Sequence, residues 1–371
     1  MKKIAIIVPG GIGNGKFLKG VPSMVNLIER LSHDFEITVY SLIKTEAKEV
    51  SKNFKLKSFP ANNTSSSWIK TLLFLPRFLI DHLMKRYDLI HAFWALPAGL
   101  IAAELSKIFN IPCIITLQGG ETANLPEINY GNILNVKSKK KTLQVCRGAD
   151  KLVVLTNFQL NQLRLLGINR DDIEIIPYGA EERFFPFINT KNFEEPFKFI
   201  HVANLTEVKD QGTLLKAFKI LSEKINCQLT IVGDDYLEGK IQQLVQELKL
   251  RNVLFVEAVQ HYELNKYLSN SHFMLHTSLH EAQAVVINEA MSSGVIVCGS
   301  SVGLLNDLND DSCITADCGD YNTLAEKILE LLPDKERIEK MRISAFEWSV
   351  SHSASWTYKS YKKNYERLTI S

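Results

Sequence analysis

"HFMLHTSLHEAQAVVINEAMSSGVIVCGS" (residues 272–300) holds two short apolar runs, "HFMLHTS" (272–278) and "VIVCGS" (295–300). Between them lie a loop, "LHEAQA", and a helical run, "VVINEAMSS", that stops at Gly294. Short apolar runs bounded by turn residues read as buried strands. Strand, helix and strand in succession form a βαβ unit, which implies a parallel sheet covered by helices. The unit also carries two carboxylates. Glu281 falls at the carboxyl end of the first strand and Glu289 inside the helix. Val285, Val286 and Ile287 are consecutive and read as buried, so Glu289 has little solvent face to occupy. A carboxylate so placed needs hydrogen-bond donors to offset its desolvation, and the paired hydroxyls of a ribose or a sugar would supply them. The plainer alternative is two solvated or salt-bridged glutamates.

The same alternation extends in both directions. The N-terminal half offers "KIAIIV" (3–8), "FEITVYSL" (35–42), "DLIHAF" (88–93), "PCIITL" (112–117), "KLVVLT" (151–156) and "IEIIP" (173–177). Amphipathic spacing in "VPSMVNLIERLS" (21–32) and "PAGLIAAELSKIF" (97–109) predicts helices between them. "PFINTKNFEEPF" (186–197) breaks the rhythm and reads as a linker, with a hinge near 190. The pattern restarts with "FKFIHVANL" (197–205), "CQLTIVGD" (227–234), "NVLFVE" (252–257) and "SCITAD" (312–317). The expected class is α/β, with two Rossmann-like, doubly wound domains facing each other across a cleft. Their bounds are read as 1–187 and 188–352. A terminal helix, 353–371, carries Trp356, Tyr361 and Tyr365 among its apolar positions and is expected to pack back on the N-terminal domain.

Length agrees with two cores, since 371 residues exceed what one hydrophobic core ordinarily serves. A hydrophobic share of 46% against 23% charged residues is that of a globular protein. The net charge of +2 gives no reason to expect nucleic acid. The six cysteines form no CxxC pair and read as buried free thiols of a reducing compartment. The opening apolar run is shorter than the roughly 7–15 residues of a signal peptide, and no run approaches the roughly 20 of a membrane span. A cytoplasmic location follows as the expectation.

Ligands of open parallel sheets bind beyond the carboxyl ends of the strands, so the strand-end loops are where chemistry is sought. "PGGIGNGK" (9–16) follows the first strand, and its glycines let backbone amides approach a phosphate. Lys16 stands where the third glycine of GxGxxG would be, and no acidic residue ends the second strand. Both features argue against a dinucleotide oxidoreductase. "QGGETANLPEINYG" (118–131) places Gln118 and Glu121 at the rim of the same sheet. In the second half, "VANLTEVKDQGTLLKAF" (202–218) puts Lys209 in a loop just ahead of a helix that Asp210 would cap. A lysine there can neutralise a phosphate. A turn without ligand, or a solvated lysine, is the alternative at each of these places.

With "DLIHAFWALPAGLIAA", "TLQGGE", "VLTNFQLNQLRLLGI", "IEIIPYGAEERFFP", "IVGDD" and "SLHEAQAVVINEAMSSGVIVCGSSVG" in order, the chain resembles the retaining glycosyltransferases of family 4, which have the GT-B fold. The last of these motifs is the most specific. The resemblance implies that Glu281 contacts the hydroxyls of a donor sugar and that Glu289 holds the ribose of its nucleotide. It implies that Lys209 meets the donor diphosphate, with Gly10 and Gly11 approaching from the other domain and the amides of Ala284 and Val285 facing the same charge. Ala258 matches the region where the base rests. Asn204 stands where an arginine is usual, Gln118 where a histidine is, and Ala282 where a glycine is. Asn14 and Glu121 fall on the acceptor side. The implied reaction moves a hexosyl group from a nucleotide-diphosphate sugar to a glycan or lipid-linked acceptor, in cell-surface polysaccharide synthesis. A phosphate oxygen would take the acceptor proton, and neither metal nor cofactor is called for. An epimerase or hydrolase of the same fold, and a silent sugar-nucleotide-binding partner of a transferase, remain alternatives.

"WIKTLLFLPRFLIDHLMKR" (68–86) is apolar with basic residues, and "VKSKKKT" (136–142) adds a lysine cluster. They read either as a surface for peripheral contact with the inner face of an anionic membrane or as a buried helix and a solvated loop. The second reading is the favoured expectation.

Overall fold

Every apolar run named above as a strand forms one in the computed structural model, which describes residues 1–18, 20–47, 50–62, 64–184, 191–308 and 310–370. The chain divides into two units, Met1–Tyr178 with Ala354–Ser371, and Gly179–Ser353. The boundary expected at 187/188 and the hinge near 190 lie outside the described residues. The division at 178/179 has a local cause. The Thr357 hydroxyl donates to the Pro177 carbonyl at 2.7 Å, and Tyr178 receives the Gln118 side chain at 2.9 Å, so both residues belong to the first unit.

The first unit runs β1 (Lys3–Val8), α1 (Pro22–Leu31), β2 (Glu36–Ser41), β3 (Lys55–Ser58), α2 (Ser67–Lys85), β4 (Leu89–Phe93), α3 (Leu100–Phe109), β5 (Cys113–Thr116), α4 (Val136–Gly148), β6 (Lys151–Val154), α5 (Asn157–Leu165) and β7 (Glu174–Ile175). Its strands form a parallel sheet in the order β3-β2-β1-β4-β5-β6-β7. β3 escapes the apolar pattern because "KLKS" alternates lysines with a single leucine, a composition that suits an exposed sheet edge.

The second unit contains β8 (Phe197–Val202), α6 (Gln211–Lys224), β9 (Cys227–Val232), α7 (Lys240–Glu247), β10 (Val253–Val256), α8 (Leu264–Ser269), β11 (Phe273–His276), α9 (Val285–Ser292), β12 (Ile296–Ser300), α10 (Leu304–Asp307), β13 (Cys313–Ala316), α11 (Tyr321–Leu331) and α12 (Lys335–Ser351). Its parallel sheet has the order β10-β9-β8-β11-β12-β13. Counted within each unit the first six strands follow 3-2-1-4-5-6, the doubly wound order. Successive connections depart in opposite directions from the central pair, and the crevice between them is the ligand-binding switch point. It falls between β1 and β4 in the first unit, and between β8 and β11 in the second.

The last helix, α13 (Ala354–Leu368), belongs to the first unit and lies against α1. Tyr361 and Tyr365 are fully buried there. The Tyr365 hydroxyl meets His91 Nδ1 at 2.7 Å, His91 Nε2 meets the Thr116 hydroxyl at 2.9 Å, and Thr116 meets Tyr361 at 2.9 Å. Burial lowers His91 to about 3, so the ring is neutral and serves as a bridge within this core. The cysteines are all free thiols, five buried and Cys318 exposed, which corrects the reading of all six as buried.

Candidate donor site at the second switch point

The loops after β8 and β11 are stitched together before any ligand is considered. The Leu279 amide donates to the Val208 carbonyl at 2.8 Å, and the Thr277 hydroxyl donates to the Asp210 carbonyl at 2.9 Å. Asp210 accepts from the Thr213 amide at 3.2 Å, capping α6 as its position predicts. This places Lys209 beside Glu281, and its ammonium pairs with Glu281 Oε1. The same oxygen receives Ser278 Oγ at 2.8 Å and His276 Nε2 at 3.1 Å. Burial alone would raise the Glu281 carboxyl. Lys209 and His276 outweigh it and hold the group well below the ordinary carboxylate range. Glu281 is therefore a fixed anion, and its Oε2 accepts no hydrogen bond among the described residues.

Gly303 closes the other side of Glu281. Its φ is +56°, and a Cβ added there would come within 2.7 Å of Glu281 Cβ, so only glycine lets this loop lie so close. Beneath the loops, His201 Nδ1 meets the Leu275 carbonyl at 2.8 Å and its Nε2 meets Gln211 at 3.2 Å. Gln211 also donates to the Asn204 carbonyl at 3.2 Å. Burial depresses His201 to about 3, which keeps this support neutral.

Glu289 projects from α9 and is 5% exposed. Its Oε1 lies 2.5 Å from His261 Nε2. On its other nitrogen His261 stands 3.4 Å from Glu181 Oε1 and 2.8 Å from an Arg183 nitrogen, while Arg183 and Glu181 pair at 2.5 Å. Burial would depress His261, but Glu181 and Glu289 reverse the sign and raise it to about 9. Nε2–H donates to Glu289, while Nδ1 lies between the Glu181 carboxylate, which favours its protonation, and the Arg183 guanidinium, which opposes it. Glu289 Oε2 accepts no hydrogen bond among the described residues.

The remaining positions organise loops. Asn204 is exposed, and its side-chain oxygen accepts from the Asp234 amide at 3.2 Å. Asp234 in turn accepts from the Ala258 amide at 3.1 Å, tying the ends of β8, β9 and β10 together. Ala284 adopts the left-handed conformation as the N-cap of α9, with Val285 the first helical residue. The early amides of a helix lack intrahelical partners.

In the first unit, Gly10 and Gly11 follow β1. A Cβ on Gly10 would meet Ile43 at 2.7 Å, and the Gly11 carbonyl accepts from the Val21 amide at 2.8 Å. Asn14 donates to the Lys44 carbonyl at 3.0 Å. Glu121 departs from its expected place at an open rim. It is 1% exposed and accepts from the amides of Gly119 at 2.7 Å and of Gln118 and Ala95 at 3.2 Å each. Burial lifts its carboxyl above the ordinary value against the pull of those amides. Glu121 thus shapes the 118–121 turn, and a contact to an acceptor is not what its carboxylate offers. Gln118 is half-buried and spends its amide on Tyr178.

Sequence reasoning missed His276, Ser278, His261 and Gly303. His276 left a trace as a polar residue at the end of the apolar run "FMLH", and Ser278 and Gly303 stand at the two ends of the motif 278–303 without having been singled out. Among the described residues no group of His, Cys, Asp and Glu could hold a metal ion.

Two family models meet end to end on the chain. The one described as Glycosyltransferase Family 4 matches residues 22–183, and the one described as Glycosyl transferases group 1 matches residues 184–348. An uncharacterised glycosyltransferase of Methanocaldococcus jannaschii is 25% identical over 285 residues, 76% of each chain. Among solved structures, sucrose-phosphate synthase from Thermosynechococcus elongatus superposes with a TM-score of 0.84 at 21% identity, covering 99% of both chains. The Anabaena HepE protein in complex with UDP and glucose gives 0.77 at 16% identity, covering 98% of this chain and 99% of that one. With matched models over both units and two doubly wound sheets, the chain belongs to glycosyltransferase family 4 and has the GT-B fold.

Proposed function

We propose that this protein transfers a hexosyl group, with retention at the anomeric carbon, from a nucleotide-diphosphate sugar to a hydroxyl of a glycan or lipid-linked acceptor. The observation that carries the reading is the pair of fixed carboxylates at the second switch point. Glu281 and Glu289 are each anchored through Oε1, while neither Oε2 takes a hydrogen bond among the described residues. An acceptor-only group of this kind suits sugar hydroxyls. Glu281 takes the hexose and Glu289 the ribose diol. Lys209, held by Glu281, supplies the positive charge for the departing diphosphate, an electrostatic role aimed at charge that grows in the transition state. The first amides of α9, at Ala284 and Val285, add to it. A phosphate oxygen of the leaving group accepts the proton of the incoming hydroxyl, so no protein base is assigned. Gly10 and Gly11, after β1, are assigned to the donor phosphate, Gln118 to the reacting centre, and Asn14 to the acceptor. UDP is the first nucleotide to try, since the Anabaena relative was crystallised with it.

The test is a thermal-shift panel of UDP, GDP, ADP and CDP. Incubation of the best nucleotide's sugar with candidate acceptors follows, with NMR reading the anomeric configuration of the product. Stabilisation by one diphosphate and a product of unchanged anomeric configuration is expected. Indifference to every nucleotide, or an inverted product, overturns the reading.

A further inference from the structure

The two glutamates of the second unit are anchored by a common device. Each presents Oε1 to the Nε2 of a histidine, His276 for Glu281 at 3.1 Å and His261 for Glu289 at 2.5 Å. Glu281 also has Ser278 and Lys209 on that oxygen. Among the described residues Glu289 has His261 alone, so the direction of its carboxylate depends on one imidazole. That imidazole is itself held. His261 opens a single 3-10 turn, His261–Glu263, in which Glu263 accepts from the Gln260 amide at 3.2 Å. The ring packs on buried Phe184 at a centroid separation of 5.2 Å. Nδ1 faces an Arg183 nitrogen at 2.8 Å and Glu181 Oε1 at 3.4 Å. Arg183 is fixed in turn, by Glu181 at 2.5 Å and through its own carbonyl, which accepts from Asn265 at 3.1 Å. Either neighbour of Nδ1 leaves a hydrogen on Nε2. A guanidinium donates to Nδ1 when the neutral ring's one hydrogen sits on Nε2, and a ring charged beside the carboxylate carries hydrogens on both nitrogens. In both states Nε2–H faces Glu289.

We propose that His261 is a positioning residue that sets the selectivity of the donor site for a ribonucleotide. Its Nε2–H occupies the inner oxygen of Glu289 and leaves Oε2 as a directed acceptor for the ribose diol. The proposal rests on the assignment of Glu289 to the ribose and adds the group that makes this carboxylate selective. Glu289 is 5% exposed, and a carboxyl so enclosed stays ionised only with a donor beside it. A charged and immobile acceptor favours a 2′,3′-diol, whose two hydroxyls both donate, over a 2′-deoxyribose, which has one donor fewer. Discrimination of this kind is strong where an enclosed polar group is left short of a partner. Without His261 the carboxylate is free to turn, and the advantage of the second hydroxyl is lost. Glu181, Arg183, His261 and Glu289 all belong to the second unit, so the device is complete within it.

Calorimetric titration of the full chain tests it, with the diphosphate that binds best among UDP, GDP, ADP and CDP and with the 2′-deoxy form of that nucleotide. The wild type should bind the ribo form about tenfold or more tighter. His261→Ala should weaken the ribo form about tenfold and the deoxy form at most about twofold, so that the preference nearly vanishes. His261→Gln, whose amide offers an N–H in place of Nε2–H, should keep a preference of about fivefold or more. An ion pair that only braces the fold would lower the melting temperature of the variants and leave the preference intact. An unchanged preference in His261→Ala, or its equal loss in His261→Gln, overturns the proposal while the ribose assignment stands. A wild type that binds no nucleotide, or both forms equally, overturns the ribose assignment and this proposal with it. Long-range proton–nitrogen NMR of isotope-labelled histidines in the wild type needs no substitution, and so decides the matter even if His261→Ala fails to fold. Nε2 of His261 should carry a hydrogen at neutral pH, and a ring protonated on Nδ1 alone overturns the proposal.

Discussion

Glu281 and Glu289 are eight positions apart in sequence, but their surroundings assign them different work. Glu281 shares its anchored oxygen with Lys209, the cation proposed to meet the diphosphate, so changing it would disturb the group on which the proposed bond breaking depends. Glu281→Gln should lower kcat roughly 100-fold with little change in nucleotide affinity, as read by steady-state kinetics and calorimetry. Glu289→Ala should instead weaken the nucleotide by about 1.5–3 kcal/mol, or roughly 10- to 150-fold in Kd. His261 offers a pH test. Its folded pKa of about 9 lies above the ordinary value of 6.5. The stability it lends is therefore fully present below about pH 6.5 and disappears as pH rises through 9. The term is on the order of 3 kcal/mol. Denaturant unfolding of wild type and His261→Gln should differ most near pH 6 and converge by about pH 10. The placement of Glu281 and Lys209 on strand-end loops and of Glu289 inside α9 could be read from the local pattern. The role of His261 could not, since its partners Glu181 and Glu289 arrive from segments far along the chain.

At the scale of elements, apolar patterning revealed the strands well and faces poorly. Twelve strands declared themselves by continuous apolar runs, while β3, with one leucine between lysines, did not. α2 was legible as a helix, but its apolar residues lie on both sides, and periodicity cannot say which side the protein covers. α13 shows the reverse case. Its tyrosines stand out in sequence, and the structure ties them to His91 and Thr116. Tyr365→Ala should cost about 3–5 kcal/mol in unfolding free energy. Tyr365→Phe, which removes only the hydroxyl bonded to His91, should cost about 1–3 kcal/mol. Urea titrations followed by circular dichroism measure both.

Across the whole molecule, the two units own separate cores; alternating strands and helices implied a parallel, doubly wound sheet in each, and the structure supplies the strand order. The domain bounds were less legible. Proline and charge marked a linker at 186–197, whereas the hydrogen bonds of Pro177 and Tyr178 that close the first unit are made with distant residues. A chain ending at Ser353 should therefore melt in two separated steps, the first unit at the lower temperature, as calorimetry would show. The order of synthesis gives this connectivity a further consequence. Met1–Tyr178 is synthesised before the second unit, yet it lacks α13 until a further 190 residues, as far as Leu368 (368 − 178), have been polymerised. At bacterial-to-eukaryotic elongation speeds that gap lasts about 10–40 s. Through it the nascent sheet keeps His91 and Phe35 without their tyrosine cover, while the later-made unit, contiguous in sequence, can finish folding ahead of its predecessor.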